Sequence, residues 1–169
     1  EGQPSTLSLK QMLEVFLDHR LTVTLRRSQF QLRKAEDRLH LVRGLMIAIA
    51  DIDDVIAIIR SSEDAAEARG RLIGAFDLTE TQANYILDMQ LRRLTKFSTI
   101  ELEKEAAALA ETIAGLREII DDDAVLRRVV SGELAEVGRQ FGTPRRTVLL
   151  ASSGVPTAAR APLEMADDP

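Results

Sequence analysis

Residues 9–49, LKQMLEVFLDHRLTVTLRRSQFQLRKAEDRLHLVRGLMIAI, contain no proline and decide how the rest of the chain is read. A helix of this length rises about 60 Å at ~1.5 Å per residue, far longer than an ordinary globular helix. Along it Leu21, Leu25, Ser28, Leu32, Ala35, Leu39, Val42 and Met46 alternate in steps of four and three. That spacing keeps one narrow apolar stripe on one side, which needs a partner helix to cover it.

The same chain supplies a candidate partner. Leu102, Ala106, Leu109, Ile113, Leu116 and Ile120 repeat the alternation. If the chain reverses between the two stripes, they pair antiparallel, with Leu39 near Ala106, Leu32 near Ile113 and Leu25 near Ile120. A compact bundle, in which each helix packs on several neighbours, would use the same residues differently. The narrow stripe with charges on both sides favours a two-helix arm, and in that arm truncating Leu32 to Ala costs about 2–5 kcal/mol.

Composition agrees with thin helical layers. Apolar residues make up 45% of the 169, yet aromatics make up 4% and tryptophan is absent, so Leu, Ile, Val and Ala must build the core. The absence of cysteine excludes disulfides and thiolate metal sites. No apolar run reaches membrane-spanning length and no basic-then-apolar leader opens the chain, so the reading is a soluble, cytoplasmic protein without a membrane partner. A net charge of −5 lacks the basic excess of a module that grips phosphates by itself. Pro4 precedes the long helix and Pro144, Pro156, Pro162 and Pro169 follow the last one, leaving an all-α body.

The expected organisation follows from caps and changes of pattern. Residues 1–7 form an extended lead-in and residues 8–44 the outbound helix, with Ser8 and Gln11 as a capping box. Leu9, Met12, Leu13, Phe16 and Leu17 form a broad apolar face, which predicts packing on more than one partner there. Residues 45–97 crowd together more isoleucine, leucine and valine than a two-helix stripe uses, and form a small globular knob. Within it Asp51 caps one helix running to about Arg60, and Ser62 caps a second. Phe76-Asp77-Leu78 is a connector, and Thr79 with Gln82 caps a helix running to about Leu94. Residues 98–142 return along the arm. Ser98 and Glu101 open that return, Asp121-Asp122-Asp123 breaks it, and a last helix carries Leu126, Val130, Leu134, Val137 and Phe141 as far as Gly142. Residues 143–169 hold a short strand at Val148–Leu150 and a linker.

No catalytic or metal site is legible. His19 and His40 lie about six turns apart. Asp37 and His40 have the i, i+3 spacing of carboxylate-bridged metal bundles, but those need a second copy and further carboxylates. Tyr85, the one tyrosine, reads as a packing residue with its hydroxyl at the surface. The long helix has a basic face, with Arg26, Arg27, Arg33 and Lys34 as the candidates to face a polyanion. For any single residue the preferred reading is a solvated face, partly paired with return-helix acids such as Glu101, Glu103, Glu105 and Glu111.

Four segments together resemble the breakage-reunion (A) subunit of bacterial type IIA DNA topoisomerases, the family of DNA gyrase A and its topoisomerase IV counterpart. They are QLRKAEDRLHLVRGL (31–45), AIADIDDVIAIIR (48–60), LTETQANYILDMQLRRLT (78–95) and FGTPRRT (141–147), in the family's order and spacing. The resemblance implies a long antiparallel coiled-coil arm capped by a small dimerisation knob, the exit gate or C-gate. There the knobs of two protomers hold together during ATP-dependent double-strand passage and part to release the transported duplex. It also implies that the nucleophilic tyrosine lies elsewhere in the parent protein, and that Mg2+ and ATP are used through the partner B subunit. The fragment alone is then no enzyme and carries no cofactor.

A two-fold gate needs a self-complementary apolar patch. The candidates are Ile52, Val55, Ile56 and Ile59 with Ala83, Tyr85, Ile86 and Met89, although the knob's own core claims some of them. Two other classes stay open on the residues alone: a free-standing helical-hairpin adaptor, and a metal-binding four-helix enzyme that would hold iron or manganese.

Overall fold

The computed structural model describes residues 6–89, 99–144 and 146, and among them all regular structure is helical. Six helices follow in order: α1 (Leu9–Ala50), α2 (Ile52–Ser61), α3 (Ala65–Phe76), α4 (Glu80–Asp88), α5 (Thr99–Asp121) and α6 (Asp123–Phe141). The Ser98 cap, the helix end near Leu94, the strand at 148–150 and the linker beyond it lie outside the described residues.

Helix α1 runs unbroken for 42 residues, a rod of about 63 Å. Ser8 opens it as expected, its hydroxyl accepting from the Gln11 amide while its own amide donates to Gln11 Oε1 at 2.8 Å. Its main partner is α5. Ala35, Leu39 and Ile113 form a buried cluster, with Leu32, Ala106 and Leu109 packed against it. The expected neighbours Leu39 with Ala106 and Leu32 with Ile113 therefore share one apolar contact zone, while Leu25 and Ile120 are both half-buried.

Ion pairs fix the direction of the pairing. Arg38 meets Glu105, Glu36 meets Arg117, and Arg20 and Arg27 both meet Glu133. Residue numbers fall along α1 as they rise along α5 and α6, so the helices run antiparallel.

The buried line on α1 departs from the expected stripe toward the helix start. There Thr24, outside the stripe, is covered together with Ser28, a member of it, while Leu21 and Leu25 flank them half-buried. Small side chains at the contact let two backbones approach, and larger ones straddle the line. At the other end Leu45 and Ala48 are fully buried where Met46 was expected, because a third helix, α4, packs onto α1 there.

The first turns of α1 do not find the expected partners within the described chain. Leu9, Met12, Leu13, Phe16 and Leu17 are all exposed. In α6, Leu126 and Val130 are buried but Val137 and Phe141 are exposed, so the apolar face of that helix is only half used.

Two caps differ from expectation. Asp51 precedes α2 but makes no capping bond. The α3 cap is Asp64, which accepts from the Glu67 amide, while the Ser62 hydroxyl donates back to the Ile58 carbonyl at 2.8 Å. Asp77 turns the chain between α3 and α4 in the left-handed region at φ 52, a conformation that Asp tolerates better than most residues. Thr79 and Gln82 form the expected capping box, and Asp122 caps α6 by accepting from Ala124.

That second capping box also fastens α4 to α1. The buried Gln82 donates from Nε2 to the His40 carbonyl at 2.7 Å and accepts at Oε1 from the Thr79 amide at 2.9 Å. His40 Nε2 lies 2.7 Å from Thr79 Oγ1. Gly44 makes room for this joint, since a Cβ there would stand 2.7 Å from Gln82 Cγ and 2.9 Å from its Cβ.

Two outcomes test this packing by denaturant unfolding. Leu45→Ala, at a fully buried site, is expected to cost about 2–5 kcal/mol, whereas Phe30→Ala, 61% exposed, stays within about 0.5 kcal/mol. Gly44→Ala is expected to lower stability, because overpacking costs about 1–3 kcal/mol against a helix-propensity gain of about 1 kcal/mol. Gly70→Ala meets nothing within 4 Å and raises stability by up to about 1 kcal/mol.

Candidate functional site

The candidate interface residues fall into two groups. Val55, Ala83 and Ile86 are covered to 0–1% exposure inside the cluster that also holds Val42, Leu45, Leu72 and Leu102. Within the single chain they are core residues, and a side chain enclosed in this way shows no area to a second chain. Ile52, Ile56, Ile59, Tyr85 and Met89 are half-buried.

On α2 the rule behind this split is helical phase. Val55 faces the core, and Ile52, Ile56 and Ile59 recur at i, i+4 and i+7 beside it. The chain therefore leaves a row of isoleucine partly uncovered on a helix whose inner side is already satisfied.

The basic residues of α1 likewise separate. Arg38 is a structural node: Nε donates to Glu105 Oε1 at 2.7 Å, Nη2 to Glu105 Oε2 at 3.2 Å, and Nη1 to the Tyr85 hydroxyl at 3.1 Å. The Glu105 hydrogen bond is the largest effect raising the guanidinium above its ordinary pKa, against partial burial, which opposes it. One planar cation thus joins α1, α4 and α5, a role that Lys could not fill bidentately. The hydroxyl of the half-buried Tyr85 accepts from Arg38.

Arg27, a candidate to face DNA, shares the Glu133 carboxylate with Arg20. Arg26, Arg33 and Lys34 are exposed and make no ion pair among the described residues. Of the acids expected to pair with this helix, Glu105 does so, while the other arginine partner, Glu133, lies on α6 and was not legible from spacing.

The Asp37–His40 spacing gathers no further ligands. His40 Nε2 is engaged by Thr79, and among the described residues no three His, Cys, Asp or Glu side chains converge on a point that could hold a metal ion. Among those residues no helix is long and apolar enough to cross a membrane.

Comparison with known proteins identifies the family. The family of DNA gyrase/topoisomerase IV A subunits matches residues 1–135. The DNA gyrase A subunit of Aminobacterium colombiense is 45% identical over 150 residues, covering 89% of this chain and 18% of that protein. Its counterpart in Campylobacter jejuni is 44% identical over 145 residues, covering 86% of this chain and 17% of the relative. That of Mycobacterium tuberculosis is 42% identical over 154 residues, covering 91% and 18%. The chain spans less than a fifth of the length of these relatives. A family match over most of the sequence, with identity above 40% along nearly all of it, means that this chain belongs to the A-subunit family of DNA gyrase and topoisomerase IV.

Proposed function

We propose that this chain is the coiled-coil arm and exit gate of a type II DNA topoisomerase A subunit. Helix α1 with α5 and α6 is the arm. The end of α1 with α2, α3 and α4 is the knob, through which two protomers hold together. The observation that carries this reading is the row Ile52, Ile56 and Ile59, half-buried beside a complete core, with Tyr85 and Met89 equally half-buried on and just after α4.

The physical task explains the design. Two protomers must stay joined while a double-stranded break is held open, and the joint must then part to let a duplex out. A self-complementary two-fold patch does this with one surface. Half-buried isoleucines suit a reversible contact: they add apolar area when paired, yet do not leave a hollow core when separated. A stiff arm passes displacement to the knob because its helices are clamped by buried apolar contacts and by ion pairs across them.

In the parent protein, the partners are then a second copy of the same polypeptide, the B subunit, which uses ATP and Mg2+, and double-stranded DNA. The chain by itself holds and releases; it cleaves no strand, and it acts in the cytoplasm.

Sedimentation velocity tests the reading. At about 10 μM, where a micromolar interface is largely occupied, the chain is expected to run as a dimer. Ile56→Asp and Ile59→Asp should give helical monomers, whereas Ile86→Asp should lose helicity because it buries an unpaired charge. A wild-type chain that stays monomeric, or dimers unaffected by both surface variants, would overturn it.

A further inference from the structure

Helix α4 carries Tyr85 of the proposed gate surface, with Met89 just after its end, and is fastened to α1 at two points one turn apart. Gln82 Nε2 donates to the His40 carbonyl at 2.7 Å, and Arg38 Nη1 donates to the Tyr85 hydroxyl at 3.1 Å. Apolar contact alone has no preferred direction and would leave the rotation of a nine-residue helix loosely set. Two directional bonds from residues i and i+3 fix that rotation, and with it the aim of the Tyr85 ring.

The two points differ in what stands behind them. The Gln82 joint is closed between α1 and α4, through His40, Thr79 and Gly44. Arg38 reaches further, because its Nε and Nη2 grip both oxygens of Glu105 on α5, at 2.7 and 3.2 Å. One guanidinium therefore joins the outbound arm helix, the returning arm helix and a helix of the gate. Among the described residues the other ion pairs across the arm, Arg20 and Arg27 with Glu133 and Arg117 with Glu36, include no side chain of the knob. Leu102 of α5 also enters the knob's core, but as an apolar contact without direction.

The relative strengths of the Arg38 bonds set the direction of the coupling. Glu105 is an ion held through two parallel bonds, whereas Tyr85 offers one neutral acceptor. A bidentate pair of ions outlasts a single bond to a hydroxyl. When α5 shifts along or away from α1, Arg38 follows the carboxylate and the phenol is the partner released.

We infer that Arg38 is a positioning residue of the gate: held by Glu105, it orients Tyr85, so that a change in how the arm helices pair is felt at the surface where two protomers meet. The inference rests on the proposed exit-gate reading and names the route by which the arm acts on the gate. Arg38 and Glu105 are 37% and 36% exposed, so the pair adds little to folding stability and can be removed without unfolding the chain. Tyr85 is the sole tyrosine in a chain without tryptophan, so ultraviolet emission reports this ring alone.

The test combines that emission with sedimentation of the full chain, which gives the dimer dissociation constant. Arg38→Gln is expected to change Tyr85 emission and to weaken dimerisation about five- to tenfold, the order of one net hydrogen bond. Arg38→Lys restores neither, because it lacks the planar fork that spans Glu105 and the phenol. Glu105→Ala moves both readouts in the same sense, although it touches no knob residue. Tyr85→Phe weakens dimerisation by a similar factor, and adding Arg38→Gln to it brings no further loss. Arg117→Gln, which breaks a different pair across the arm, leaves both readouts unchanged. Circular dichroism confirms that each variant remains helical. Wild-type dimers whose affinity survives Arg38→Gln or Glu105→Ala, an equal loss from Arg117→Gln, or weaker dimers with unchanged Tyr85 emission would overturn the positioning role and leave the gate reading standing. A wild-type chain that stays monomeric would remove the gate, and with it the role assigned to Arg38.

Discussion

The structure depends on the covering of one apolar line along α1 by α5. Ala35, Leu39, Val42 and Leu45 on the long helix, with Leu102 and Ile113 on its return, are the residues that water no longer reaches. An isolated 42-residue helix would gain little from its own hydrogen bonds beyond what water offers; its stability comes from burying this line. Because the line is narrow, both helices keep two wet flanks, and everything else that distinguishes the molecule is placed on those flanks or at the far end.

Charge on the flanks is asymmetric. One side is closed by carboxylates from the returning chain, with Arg38 bound to Glu105 through both guanidinium edges and Glu133 shared between Arg20 and Arg27. Exposed pairs of this kind contribute little stability each, about 0–1 kcal/mol. Their more useful effect is to fix register. On the opposite side Arg26, Arg33 and Arg43 make no ion pair among the described residues, in a chain whose net charge is −5. Whole-chain charge is thus a poor guide to what one face of an extended molecule attracts.

At the far end, the joint between α1 and α4 is polar and tight. Gln82 is buried, satisfied by the His40 carbonyl and the Thr79 amide, and sits against Gly44. Such a network holds one relative placement of the helices, because a shift leaves a buried amide without partners. The apolar core of α2, α3 and α4 gathers around this joint, and the isoleucines that do not fit inside it remain as surface.

The long helix, the four-three stripes, the caps at Ser8 and Thr79, the break before α6 and the family resemblance are all legible in the order of residues. These are local or periodic properties: a cap needs three neighbouring residues, and a stripe needs only the helical repeat. Which members of a stripe are enclosed and which cations are neutralised emerges only on folding. Thr24, which the stripe omits, lies on the buried line beside Ser28 while Leu21 and Leu25 flank it half-buried. Val55, Ala83 and Ile86 are fully enclosed while Ile52, Ile56 and Ile59 are only half-buried, because that division depends on how three short helices lie around α1. The partner of Arg20 and Arg27 stands more than a hundred residues away on α6, and no spacing rule reaches across a reversal of the chain.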